Sequence, residues 1–243
     1  MIDPHDEALA AAEAAGVLIA PVAEVAELDE LRAAMEHIWG AVVVPPRNLL
    51  RGLALGGACL LTARRDDAVV GFALGWLGWT GGVHLHSHQV GVAASERRGG
   101  VGVALKLAQR AQCLQHGITE MRWTFDPVLA TNARFNLVRL GARVIDFLPH
   151  CYGDRVDAFN TGERTDRVKV SWRLDAPVGG TLLEIPAVSD ALVPVPADYP
   201  TMRLDRPDEA AAVRAEVGAR LSAAIDAGER ILGWCTEGFV LGV

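Results

Sequence analysis

Residues 83–117 read VHLHSHQVGVAASERRGGVGVALKLAQRAQCLQHG. The run from about Val83 to Val92 has the two-residue rhythm of a β-strand. The glycine-rich turn Arg97-Arg98-Gly99-Gly100-Val101-Gly102 follows it. Leu105, Ala108, Ala111 and Leu114 then recur at helical spacing, which predicts a helix from about Gly102 to His116 with Gly117 as its left-handed cap. Glycines let a strand-to-helix turn fold tightly and expose successive N–H groups, and the helix's first turn adds the positive end of its dipole. The product is a nest for a pyrophosphate. Arg97, Arg98 and, one turn on, Lys106 are expected to supply its cations. The spacing is not that of other phosphate loops, because no Gly-Lys-Ser/Thr follows and GxGxxG is absent.

Those cations matter because the chain as a whole is acidic. Among 243 residues the net charge is −7, with 51% hydrophobic and 22% charged residues. Such a surface has no basic field for nucleic acid or anionic membrane, and such a composition buries a substantial core. Residues 1–16 hold Asp3, Asp6, Glu7 and Glu13 without a basic segment, so no signal peptide is expected. The uncharged run Ala68–Ser95 is long, but its glycines and histidines argue for buried strands rather than a membrane span. Cys59, Cys113, Cys151 and Cys235 lack metal-ligand spacing and read as free thiols of a cytoplasmic protein.

Outward from the nest, Val17–Ala20 reads as a strand and Glu24–Trp39 as a helix with Leu28, Leu31, Met35 and Ile38 on one face, stopped by Pro45 and Pro46. Cys59–Ala63 and Val69–Leu74 form a hairpin over Arg64-Arg65-Asp66-Asp67. Downstream, Met121–Phe125 is a strand, and Asp126 or Thr131 caps a helix ending at Gly141. Val168–Leu174 alternates as a strand. A late helix runs from Asp205 or Asp208 to about Ala227, and Ile231–Trp234 with Phe239–Leu241 closes as a hairpin. The sum is an α+β fold of mixed α/β character around one strand–turn–helix crossover.

The turn matches the R/Q-x-x-G-x-G/A signature of the GNAT acyltransferase superfamily, and the element order over residues 16–150 resembles that fold. His86-Ser87-His88, Trp123-Thr124-Phe125-Asp126-Pro127, Asn132-Ala133, Phe135-Asn136, Leu140-Gly141, Tyr152-Gly153, Asp157, Asn160 and Asp166-Arg167 further resemble a bacterial subgroup. That subgroup is associated with N-succinylation of amino acids alongside an N-acylamino acid racemase. The resemblance implies a mixed central sheet with splayed strands, an acyl-CoA cosubstrate (acetyl-CoA or succinyl-CoA) and no metal. It places pantetheine on Val90, Gly91 and Val92, and the pyrophosphate on Arg97, Arg98, Gly99, Gly100, Val101 and Gly102. Asn132 is expected to bond the coenzyme or cap its helix. The tyrosine that usually protonates the leaving thiolate in this superfamily falls at Leu137.

Acyl transfer to an amine needs a base and then an acid. His84, His86 and His88 alternate on one strand face, with a side-chain pKa range suited to the base. His88, nearest the splay, is the expected base, and His86 a substrate contact. Tyr152 is the expected acid, and Asp126 a base, an ammonium anchor or a helix cap. Asp157, Asp166 and Arg167 are expected to meet an amino acid's ammonium and carboxylate. The domain is expected to span residues 1–175, with 176–243 an extension that covers the acceptor site or builds a homodimer contact. The function expected is transfer of an acetyl or succinyl group to a primary amine, most plausibly of a free amino acid. Protein or peptide amines, antibiotic amines, and a non-catalytic CoA-binding regulatory module are the alternatives.

Overall fold

A computed structural model describes residues 3–153, 164–185 and 189–243. The described chain divides into two compact units, with the division falling between Met121 and Arg122.

The first unit opens with a helix that the sequence reading did not anticipate, α1 (Pro4–Ala14), whose first turn is capped by Asp3 accepting from the His5 N–H at 2.7 Å. Next come β1 (Leu18–Pro21), α2 (Val25–Trp39) and α3 (Arg47–Leu55). α2 ends at Trp39 with Gly40, at φ of 83°, as its C-cap, ahead of Pro45 and Pro46, which do not stop it; Pro46 is instead the N-cap of α3. β2 (Cys59–Arg65), β3 (Ala68–Gly78) and β4 (His84–Val92) pair antiparallel in the order β1-β2-β3-β4, so the uncharged run Ala68–Ser95 is mostly strand. α2 presents Leu28, Leu31 and Met35 to Phe72 and Leu74 of β3, forming a core with Leu50 and Leu60. α4 (Val101–Gln115) packs on the opposite face of these strands and is itself covered by α1, where buried Arg110 pairs with Glu7 at 2.6 Å.

β5 (Glu120–Phe125) leads into the second unit. A short helix, α5 (Ala130–Ala133), widens into a π-helical turn over Arg134–Arg139 and stops at Gly141, whose φ is 78°. A Cβ at Gly141 would lie 2.3 Å from the Gly179 carbonyl oxygen, so the close approach of the returning chain requires glycine there. β6 (Arg143–Leu148), absent from the sequence reading, pairs antiparallel with β7 (Arg167–Arg173), which lies between β5 and β6. The C-terminal portion builds a separate three-stranded sheet from β8 (Leu192–Pro194), β9 (Arg230–Trp234) and β10 (Gly238–Gly242), together with α6 (Tyr199–Asp205) and α7 (Pro207–Asp226). No helix among the described residues is long and apolar enough to cross a membrane.

Candidate active site

The turn before α4 has the geometry of an anion nest. Arg98 and Gly100 both adopt left-handed backbone, with φ of 69° and 89°. The amides of Arg98, Gly100, Val101 and Gly102 find no acceptor among the described residues. Unsatisfied donors at a helix N-terminus, ringed by a left-handed turn, suit a pyrophosphate. Arg97 and Arg98 stand exposed beside them with no carboxylate partner among the described residues, and Arg97 Nε donates weakly to the Val92 carbonyl at 3.4 Å. The residues present therefore fit the diphosphate of a coenzyme A.

Lys106 does not contribute to this nest. It is buried, donating from Nζ to Ser87 Oγ at 2.9 Å and lying against Met121 Sδ at 3.7 Å. Ser87 in turn donates to Gln109 Oε1 at 2.8 Å, so a short polar chain is sealed between β4 and α4. Burial drives the Lys106 pKa down to about 7, with the neighbouring Cys59 and Cys113 opposing that shift. Burial likewise pushes both thiols up to about 12.

The expected base has an unusual backbone setting. Leu74 pairs with Gln89 and Gly75 with Ser87, so His88 is the extra residue of a β-bulge in β4. A bulge re-aims one side chain out of the regular alternation, and such bulges concentrate beside active sites. His84 and His86 do share the face of Trp76 and Gly78, as the alternation implied. His84 is buried, with Nδ1 at 2.8 Å from the Gly82 carbonyl oxygen. His86 and His88 lie against the Trp76 ring, with centroids at 5.4 and 4.8 Å. The exposed His88 borders a cavity of about 270 Å³ lined by Pro45, Leu49, Leu53, Leu74 and Trp76. Trp76 escaped the sequence reading, although its position opposite His86 in the hairpin was the signal available.

Val90, Gly91 and Val92 follow the bulge on β4, opposite Ala73, Phe72 and Gly71. A Cβ at Gly91 would meet Phe72 Cε1 at 2.5 Å, so this glycine also makes room for a core ring.

In the second unit, Asp126 is fully engaged. Its Oδ1 accepts from the Val128 N–H at 3.2 Å and from Arg214 Nη1 at 3.1 Å, and its Oδ2 accepts from Arg214 Nη2 at 2.9 Å. Arg167 adds a second guanidinium at 3.8 Å. A carboxylate so occupied serves as a structural anchor at the end of β5. The helix after it is capped at Leu129, not at Asp126 or Thr131. Arg214 itself is buried, donates through Nε to Tyr199 at 3.1 Å, and was not identifiable from the sequence.

Asp166 corrects another expectation. It is fully buried, accepting from the His150 N–H at 2.8 Å and from Arg164, so it holds the loop ahead of Tyr152 rather than a substrate ammonium. Arg167 lies over the Tyr152 ring at 5.3 Å. The Tyr152 hydroxyl is 3.2 Å from Thr124 Oγ1. Asn132 is partly exposed in α5, its amide donating to Leu129 O at 2.8 Å, and the usual tyrosine position, Leu137, is buried in the π-helical turn. Asp157 and Asn160 lie outside the described residues.

Comparisons with known proteins agree with this architecture. Residues 27–137 match the model of the "Acetyltransferase (GNAT) family". No curated protein sequence matches the chain. Among solved structures, the ribosomal-protein-S18-alanine N-acetyltransferase of Escherichia coli superposes with a TM-score of 0.54 at 12% identity, covering 70% of this chain and 99% of its own. An N-acetyltransferase of Staphylococcus aureus gives 0.53 at 12% identity, covering 65% and 99%. The yncA protein of Salmonella typhimurium, solved with its cofactor acetyl-CoA, gives 0.50 at 18% identity, covering 69% and 99%. The chain thus has the GNAT acyl-CoA N-acyltransferase fold, and its residues 27–137 carry the match to the GNAT acetyltransferase family.

Proposed function

We propose that this protein transfers an acyl group from acyl-CoA to the primary amine of a free amino acid by direct attack. One observation carries the reading: a left-handed turn whose Arg98, Gly100, Val101 and Gly102 amides find no acceptor among the described residues follows a strand that bulges at an exposed histidine. The nest holds the coenzyme's diphosphate, and Val90–Val92 guide pantetheine along β4. His88 takes a proton from the acceptor's ammonium, directly or through one water. The amine nitrogen then bonds the thioester carbon and gives up its second proton to solvent water, the C–S bond breaks, and the Tyr152 hydroxyl protonates the departing thiolate before regaining its own proton from water. No enzyme nucleophile enters this sequence.

The cavity beside His88 supports an amino acid over a polycationic antibiotic amine. Among the described residues its lining offers the His88 ring and the Trp76 indole as polar groups and no carboxylate to receive further ammonium groups. Succinyl transfer rests on the subgroup resemblance and on Arg134, Arg155 or Arg164 as partners for a second carboxylate, of which Arg155 lies outside the described residues and Arg164 already bonds Asp166. Residues 176–243 complete this acyltransferase as part of the same working enzyme, which we propose acts in the cytoplasm.

Thiol release from acetyl-CoA and succinyl-CoA over a panel of D- and L-amino acids tests the reading. Turnover with at least one free amino acid is expected, with succinyl-CoA the faster donor. His88→Ala should lower kcat by about 10²-fold with CoA affinity near normal. Turnover with peptides alone would move the acceptor to a protein amine. CoA binding without thiol release from any amine would leave a regulatory module.

A further inference from the structure

The second unit holds Tyr152 more firmly than a surface tyrosine requires. Its N–H donates to Thr165 Oγ1 at 2.9 Å, and the same Thr165 hydroxyl donates to the Gly153 carbonyl at 3.1 Å. The Cys151 N–H donates to Thr165 O at 3.0 Å, and the His150 N–H to Asp166. Thr165 and Asp166 are both fully buried, so the loop 150–153 is fastened to a fixed segment. Above the backbone, Arg167 lies over the ring, and Arg167 is steered by Asp126, which Arg214 grips through two hydrogen bonds. At the far end of the side chain, 40% of Tyr152 remains exposed and its oxygen meets Thr124. Thr124 belongs to the alternation of β5, in which Met121, Trp123 and Phe125 are buried on the other face. The loop fixes the backbone and the arginine fixes the ring. The Thr124 hydroxyl then meets the phenolic oxygen.

We infer that Thr124 is a positioning residue for proton delivery, its hydroxyl orienting the Tyr152 hydroxyl from β5. This rests on the proposed role of Tyr152. Thr124 Oγ1–H donates to the phenolic oxygen, so the phenol keeps its own O–H to give to the leaving sulfur. When that O–H bond breaks and an S–H bond forms, the phenolate keeps the threonine as donor, and it regains a proton from solvent water.

The test is a double-mutant cycle with a rescue. Thr124→Val keeps the side chain's shape and removes its hydroxyl. It should lower kcat about tenfold with little change in CoA affinity. The loss should disappear when the same change is made in Tyr152→Phe, because the two groups act as one. Thr124→Ser should restore kcat to within about threefold. Equal losses in both backgrounds, or a Thr124→Val enzyme within twofold of the parent, would overturn the inference. A second readout needs no turnover. The chain has two tyrosines, so protein carrying ¹³Cζ-tyrosine gives two ring signals, assigned with Tyr199→Phe. The Tyr152 signal should move in Thr124→Val and return in Thr124→Ser. If it stays in place, Thr124 does not hold the hydroxyl. If it moves while the parent releases no thiol with any amine, the contact stands and the acyl-transfer reading is what fails.

Discussion

Gly100→Glu should abolish measurable CoA binding at micromolar protein while leaving the fold intact. Gly100 sits at the N-cap of α4 with φ of 89°, a conformation that glutamate adopts only under strain. Relaxing that strain turns the amides of Gly100 and Val101 away from the phosphate position, and the new carboxylate occupies it with the wrong charge. Charge-assisted hydrogen bonds contribute about 1.5–3 kcal/mol each, so losing two of them weakens binding roughly 10³-fold. The added Cβ meets only Ala15 at 3.5 Å, an ordinary contact, so the loop has room for the side chain. Calorimetric titration of the folded variant with CoA is the measurement. Affinity within threefold of the parent would remove the turn from the coenzyme site.

Lys106→Met should stabilise the protein at neutral pH and flatten the dependence of its stability on pH. The folded Lys106 loses its proton near pH 7, whereas the unfolded side chain keeps it to about 10.5. Between those values the unfolded state binds more protons, so stability rises with pH at up to about 1.4 kcal/mol per pH unit. Cys59 and Cys113 act in the opposite sense. Their folded pKa values near 12 lie above the ordinary 9.0, so stability falls as the unfolded thiols ionise above pH 9. The clean window is therefore pH 7 to 9. Across it the parent should gain stability and the methionine variant should not. At pH 7 the variant should be more stable by about 2–4 kcal/mol, since it removes a buried ammonium and leaves Ser87 its bond to Gln109. Urea unfolding of both proteins at three pH values measures the difference. Parallel curves would mean that Lys106 keeps its charge in the folded state.

Lys106 also shows where sequence reading reached its limit. The strand, nest and helix of residues 84–115 are legible because glycine placement and apolar periodicity are local properties. The phase of α4 was not legible. Ala108 and Ala111 are too small to mark a face, while Lys106 and Gln109, polar by type, point into the interior toward Ser87. Without α1, the outer side of α4 also passes for solvent-facing, although Arg110 is buried there against Glu7. The same division holds at the candidate site. His84, His86 and His88 stand out by spacing, but the bulge at His88 exists only once β4 pairs with β3 and one residue is left over. Thr124 stands out only as part of the Trp123–Pro127 motif and Arg214 not at all, because their contacts are with partners 28 and 88 positions away.

That last separation has a consequence in time. A ribosome adding about 5–20 residues per second needs roughly 5–20 s to travel from Asp126 to Arg214. During that interval the end of β5 exists without the guanidinium that secures its carboxylate, and Arg167 arrives first as a more distant partner. The nascent second unit therefore remains unlatched until α7 is made, with the apolar face of β5 already in place. Slow codons or chaperone contacts between positions 167 and 214 would prolong the stage at which the growing chain is most prone to self-association.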